Sequence, residues 1–165
     1  MDCQTFLPCK YQEMLKKEIL INYYMKNFEY IGLFLTEESK TKLKAWLWEN
    51  DYDFNNDLIK GTLPENWYLD HCTLIHKSQV ADFDADEFIK TLGNTDRTIV
   101  VTHIGVSDKV MAFKVTSPTI VNYCINEIPH ITICTFNGGK PVDSNNITEW
   151  KDIKPIIVET KLDKR

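Results

Sequence analysis

Between Lys10 and Lys26 the chain reads "KYQEMLKKEILINYYMK". Tyr11, Met14, Leu15, Ile19, Leu20, Tyr23 and Tyr24 recur at three- and four-residue spacings, which predicts an amphipathic helix with Lys and Glu outward. The apolar run "YIGLFL", Tyr30 to Leu35, reads as a strand. Thr36, followed by Glu37 and Glu38, reads as the capped start of a helix reaching Trp48 and burying Leu43, Trp46 and Leu47. The stretch "ENDYDFNNDLIKGTLPENW" is rich in Asn, Asp, Gly and Pro and predicts a loop. It leads into "YLDHCTLIH", Tyr68 to His76, a buried strand, and "DFDADEFIKTLG" then predicts a short helix ending at Gly93. "RTIVVTHIGVS" and "KVMAFKV" pair as a hairpin turning at Ser107-Asp108. After Pro118, "TIVNYCINEI" fits a strand or a helix. "IPHITICTF", Ile128 to Phe136, is a further apolar strand, "NGGKPVDSNN" a loop able to approach a ligand closely, and "KPIIVET" a last strand.

Two of these strands carry the same polar insertion. His71 and Thr73 stand two residues apart, as do His130 and Thr132, and residues at that spacing on a strand share a face. Cys72 and Leu74, like Ile131 and Ile133, then point to the opposite, buried face. Strand parity places His76, five residues from His71, on that other face, which argues against a shared metal site; His103 lacks a threonine two residues on. Both are read as structural or surface histidines.

An imidazole on each side of a phosphorus centre can divide general acid–base work, one removing a proton from the attacking oxygen and the other protonating the leaving oxygen. Threonine hydroxyls can donate to the non-bridging oxygens. This scheme requires no metal and no cofactor. With four histidines and fifteen threonines, two chance His-x-Thr pairs arise about once in twenty to thirty such compositions, so the bare pattern is weak. Its weight comes from the setting, since both pairs lie in apolar strands and both are followed by an aliphatic residue.

Composition narrows the partners. The 165 residues suit one domain with its own core, and the net charge of −5 argues against gripping long nucleic acid, whose affinity comes from clustered Lys and Arg. The five cysteines form no C-x-x-C pair and are odd in number, which fits a reducing, intracellular compartment. No basic and apolar leader opens the chain and no run approaches a membrane span, so a cytoplasmic location without membrane contact is expected. Asn, Lys, Ile and Tyr are plentiful while Ala and Gly are scarce, a bias that fits an AT-rich genome.

With "HCTL" at His71–Leu74 and "HITI" at His130–Ile133, the sequence resembles the 2H phosphoesterase superfamily, the LigT-like proteins, whose signature is two His-x-Thr-x motifs. The resemblance runs from about Tyr30 to Thr160 and implies an α+β fold of two pseudo-symmetric lobes, with antiparallel sheets lining a central groove. It also implies a division into an N-terminal helical extension, residues 1–27, and one bilobal domain, residues 28–165. On the same carry-over His71 and His130 are the catalytic acid and base, and Thr73 and Thr132 bind the phosphate. Trp67, Tyr68, Phe136 and Lys140 flank the motifs as possible substrate contacts, and Ser144 or Asn145 could read a base or sugar. The implied activity is a metal-independent phosphodiesterase acting on a small nucleotide or short oligonucleotide. Cyclic dinucleotides such as cGAMP, 2′-5′ oligoadenylate and 2′,3′-cyclic phosphates all suit it, with viral antagonism of nucleotide immune signalling as a conceivable setting. The alternatives are an RNA-end-processing 2′,3′-cyclic phosphodiesterase and a nucleotide-binding module without turnover.

Overall fold

Thr36 marks the first well-defined boundary: its extended backbone and side-chain oxygen, which accepts from Ser39 N, start a helix over Glu37–Glu49 (α1) directly after the strand Tyr30–Leu35 (β1). The computed structural model of the protein describes residues 12–14, 16, 28–50, 52, 64–93 and 96–165. Residues 12–14 and 16 are helical; the rest of the helix predicted over Lys10–Lys26, and with it nearly all of residues 1–27, lies outside the described residues.

The remaining elements follow in chain order as β2 (Asn66–Trp67), β3 (His71–His76), α2 (Ala85–Leu92), β4 (Asp96–Val106), β5 (Val110–Thr116), α3 (Pro118–Tyr123), β6 (His130–Thr135) and β7 (Trp150–Lys164), with 3₁₀ turns at Lys77–Gln79 and Pro141–Asn146. The ambiguous segment after Pro118 is helical for six residues, started by Ser117, whose hydroxyl accepts from Ile120 N. The final strand is longer than its apolar run because alternate residues Ile156, Val158, Thr160 and Leu162 are buried against polar neighbours. Only a period-2 pattern, with no apolar block, announces that length.

The described strands pair antiparallel in the order β2-β6-β3-β1-β7-β4-β5, and β5 pairs back onto β6. Six of them therefore close a ring, with β2 added alongside β6. The α+β class and the antiparallel pairing expected from the sequence are present; where the resemblance implied separate sheets in two lobes, the hydrogen bonding runs continuously around this ring. Closure leaves few free edges and buries Ile31, Leu33, Leu43, Leu74, Ile99, Phe113, Ile131 and Leu162 in one cluster. α1 is tied to β7 by Glu159 N donating to Ser39 Oγ at 2.8 Å and by Lys42 Nζ reaching Ile157 O. Leu43 and Leu47 are buried as expected, while Trp46 is only partly covered and packs edge-on to Phe113. No helix among the described residues is long and apolar enough to cross a membrane.

Two irregularities position the motif strands. Leu69 is fully buried yet has φ of 45°, so the chain kinks between β2, which follows β6, and β3, which follows β1. In β3, Thr73 pairs with Gly32 but Ile75 pairs with Ile31, so Leu74 is an extra, bulged residue.

Gly139 fixes the loop after β6. A Cβ there would overlap the carbonyl oxygen of Lys109, a backbone atom that cannot move aside cheaply. Gly139→Ala is expected to destabilise the fold by about 2–3 kcal/mol, read as a lowered urea midpoint with unchanged slope, whereas Gly138→Ala meets no atom within 4 Å and carries only the backbone strain of its φ of 71°.

Candidate active site

The antiparallel pairing of β3 with β6 sets Cys72 opposite Ile131. That register places His71 beside Thr132 and Thr73 beside His130, so each motif's imidazole lies across from the other's hydroxyl. All four line one cleft of about 680 Å³, within the range of small-ligand sites. The sequence expectation that the two motifs meet across a shared groove is met in this geometry.

Each imidazole is held by its Nδ1. His71 Nδ1 is 3.0 Å from Asp70 Oδ2, and His130 Nδ1 is 2.8 Å from Ile128 O. A backbone carbonyl and an ionised carboxylate only accept, so both Nδ1 atoms carry the hydrogen and both Nε2 atoms keep a lone pair when neutral. The His71 ring stacks on Tyr30 with centroids 4.5 Å apart and packs against Phe34 at 5.3 Å. Burial in this apolar setting pushes the His71 pKa down, opposed by the hydrogen bond and charge of Asp70, and the net shift is below its ordinary value. Burial lowers His130 as well; the bond to Ile128 acts upward and the nearness of His71 downward. Burial alone would raise Asp70, but hydrogen bonds from His71 and Lys40 hold its carboxyl below the usual range. Lys40 Nζ stands 3.3 Å from Asp70 Oδ1, so the carboxylate is fixed from both sides.

The hydroxyls differ. Thr132 is buried, 2.9 Å from Ser144 Oγ and 3.4 Å from the Pro141 carbonyl, whereas Thr73 makes no comparable side-chain bond and is half-buried. Ser144 is fully buried, so it holds Thr132 and does not read a base or sugar. Asn145 does line the cleft, with Pro141 and Val142.

The other expected contacts divide. Trp67 and Tyr68 line the cleft and are exposed. Phe136 does not: it is 1% exposed and belongs to the core, because β6 carries an extra residue, Ile133, between the Thr132–Ala112 and Cys134–Met111 pairs, and the parity after it turns Phe136 inward. Lys140 is exposed and lies outside the cleft lining; its backbone N–H bonds Asp143 Oδ2 at the start of the 3₁₀ turn. His103 sits on β4 with its Nε2 2.6 Å from Asp152 Oδ1, outside the cleft lining, in keeping with a structural role. His76 overturns its expected placement. The bulge at Leu74 adds one residue between Thr73 and His76, reversing parity, and His76 lines the same cleft as His71 and Thr73. Asp70 was missed too, although its position next to the first motif histidine was a readable signal. Among the described residues no group of three or more His, Cys, Asp or Glu side chains is arranged to hold a metal ion.

Two His-x-Thr strands facing one cleft are the arrangement of the 2H, LigT-like phosphoesterases. The family model of the fungal tRNA ligase phosphodiesterase domain matches residues 62–159, more than half of the chain and both motifs, and the chain belongs to that family. A solved structure titled "Crystal Structure of Fungal RNA Kinase" is similar, with 19% identity and a TM-score of 0.49, over 94% of this chain and 47% of that one. The chain thus spans about half the length of that structure. No curated protein matches.

Both histidines are expected to titrate below the ordinary imidazole value in ¹H–¹³C NMR of their Cε1–H groups. Asp70→Asn should move His71 further down, since it removes the carboxylate that favours the charged ring; an unmoved His71 would show that the 3.0 Å contact carries no electrostatic weight.

Proposed function

We propose that this chain is a 2H-type phosphodiesterase that opens 2′,3′-cyclic phosphates at RNA ends, with His130 as general base, His71 as general acid, and Thr73 and Thr132 as phosphate ligands. The observation that supports this most is the pair of imidazoles facing one cleft with both Nδ1 atoms engaged, which leaves both Nε2 atoms for proton transfer. Membership of a family described by phosphodiesterase activity within tRNA ligase directs the reading toward RNA termini. Residues 28–165 are taken as the catalytic unit and residues 1–27 as an extension.

The division of roles rests on what each ring leans on. His71 has a carboxylate behind it and is the better holder of a positive charge; His130 has only a carbonyl and is the better neutral base. Neutral His130 Nε2 takes a proton from water as its oxygen forms the new bond to phosphorus. The bond from phosphorus to one ribose oxygen breaks, and that oxygen takes the proton from His71 Nε2. The Thr73 hydroxyl donates to a non-bridging oxygen. Thr132 can do the same when Ser144 donates to it, freeing its own hydrogen from the Pro141 carbonyl. Trp67 and Tyr68 offer exposed ring faces for the base of a second nucleotide of the RNA, a contact worth about 1–3 kcal/mol.

Among the described residues, the cleft lining includes no Lys or Arg, and Asp70 contributes negative charge. Such a cleft suits one phosphate and its nucleoside more than a long backbone, so a terminus is recognised in preference to a strand interior. Cyclic dinucleotides and 2′-5′ oligoadenylate share the reacting arrangement and belong in the same assay; a role in antagonising immune signalling finds support in composition alone.

Purified chain incubated with excess chelator and a panel of 2′,3′-cyclic mononucleotides, RNA ending in a cyclic phosphate, cyclic dinucleotides and 2′-5′ oligoadenylate should open the cyclic phosphates. Turnover of none would leave the nucleotide-binding module as the reading. His71→Ala and His130→Ala should each lower the rate by about 10²-fold or more. Because burial shifts both histidines downward, the bell-shaped pH profile should be displaced to the acid side of that expected for two unperturbed imidazoles, activity falling as pH rises and the acid loses its proton.

A further inference from the structure

His76, brought into the cleft by the bulge, carries the opposite tautomer from the two motif histidines. The backbone N–H of Ser78 donates to His76 Nδ1 at 3.1 Å, and the Ser78 hydroxyl lies 2.7 Å from the same nitrogen. A backbone amide can only donate, so Nδ1 is an acceptor and the neutral ring bears its hydrogen on Nε2. His76 therefore offers the cleft a donor and has no spare lone pair with which to act as a base.

The same logic fixes Asn126. The backbone N–H of His76 donates to Gln79 Oε1 at 2.8 Å, which settles the orientation of that amide. Gln79 Nε2 then donates to Asn126 Oδ1 at 3.0 Å, leaving the Asn126 NH₂ as the part of its side chain free to bind a ligand. Two backbone N–H groups thus dictate the polarity of three side chains that all line the cleft. This end lies past Thr73 along β3, on the opposite side of the motif residues from Trp67, which pairs with Cys134 beyond Thr132.

We propose that His76 and Asn126 form a base-reading subsite that accepts a nucleobase edge carrying two neighbouring acceptors, the O6/N7 edge of guanine, and rejects adenine, whose N6 amine would face a donor. This inference rests on the phosphodiesterase reading of the adjacent histidines. Among the described residues no Lys or Arg lines the cleft, which together with Asp70 weighs against a second phosphate as the occupant, and uncharged donors match carbonyl and ring-nitrogen acceptors. His76 and Asn126 are half-exposed, and leaving either donor facing the adenine amine is a mismatch by which a polar site discriminates.

The test measures kcat/KM of the full chain for 2′,3′-cyclic GMP and 2′,3′-cyclic AMP, a pair that keeps stacking nearly constant and changes the base edge. The guanine substrate should be preferred by at least about 10-fold. His76→Phe should abolish the preference. Asn126→Asp keeps the acceptor that Gln79 uses but turns the free donor into an acceptor, and should shift the ratio toward adenine. Equal use of both bases by the unaltered chain, or an unchanged ratio in Asn126→Asp, overturns the subsite. Calorimetric binding of 3′-GMP against 3′-AMP gives the same ratio without turnover. If neither cyclic nucleotide is opened, the phosphodiesterase reading fails, and the binding ratio alone decides the subsite: guanine preference sustains it, equal or absent binding removes it.

Discussion

The antiparallel contact between β3 and β6 is the constraint on which the rest depends. Its ladder holds a single residue pair, Cys72 opposite Ile131, yet it completes the ring of strands and sets the two motifs side by side. The preceding backbone reinforces it: Tyr68 N donates to Ile133 O and Leu69 N to Thr132 O, both at 2.9 Å. A long ladder would leave no room between the strands. The kink at Leu69 falls between the pairing of β2 with β6 and the single pair of β3 with β6; beyond that pair β3 runs on with β1 alone, and the cleft lies beside the parting strands. A non-glycine residue held at positive φ, fully buried and two positions before a motif histidine, is strain located where the geometry is needed.

Within that opening the electrostatics are sparing. Tyr30 and Phe34 cover one face of His71, and the resulting desolvation keeps the ring neutral unless Asp70 compensates. The two imidazoles are similar in burial and differ chiefly in the atom behind Nδ1, carboxylate in one case and carbonyl in the other. In the proposed reaction that difference is what separates an acid from a base without a change of residue type. Arg165 shows the same economy, its guanidinium lying over the Phe34 ring at 4.2 Å on the far side of the His71 cluster. It adds positive charge near His71 without lining the cleft.

Most of the elements were legible because their signals are local. Thr36 and Asp84 cap their helices through their own side chains, Gly93 ends α2 at φ of 81°, and the apolar blocks of β1, β3, β5 and β6 lie where the runs predicted. The His-x-Thr faces were legible for the same reason, since two-residue spacing survives in any strand. What was hidden depended on the partner strand. The bulge that carries His76 into the cleft is defined by how β3 meets Gly32 and Ile31, and nothing in "HCTLIH" marks Leu74 as supernumerary. Phe136 and Ser144 were misplaced for a related reason. Whether a residue at a strand end or in a loop is buried depends on what covers it, and here the core claims Phe136 while Thr132 claims Ser144.

The bulged Leu74 also bears on how such a cleft can change over generations. In a regular strand, converting a core position into a ligand-facing one requires replacing an apolar residue by a polar one and repacking whatever it leaves behind. An extra residue in β3 achieves the exchange by shifting phase, and everything before it, His71 and Thr73 included, keeps its place. Loss or gain of one codon between Thr73 and His76 would move the third histidine between core and cleft in a single event. Related chains with intact motifs could therefore differ in the ligands they select through the length of one strand, a kind of variation that comparison of motif residues alone would pass over.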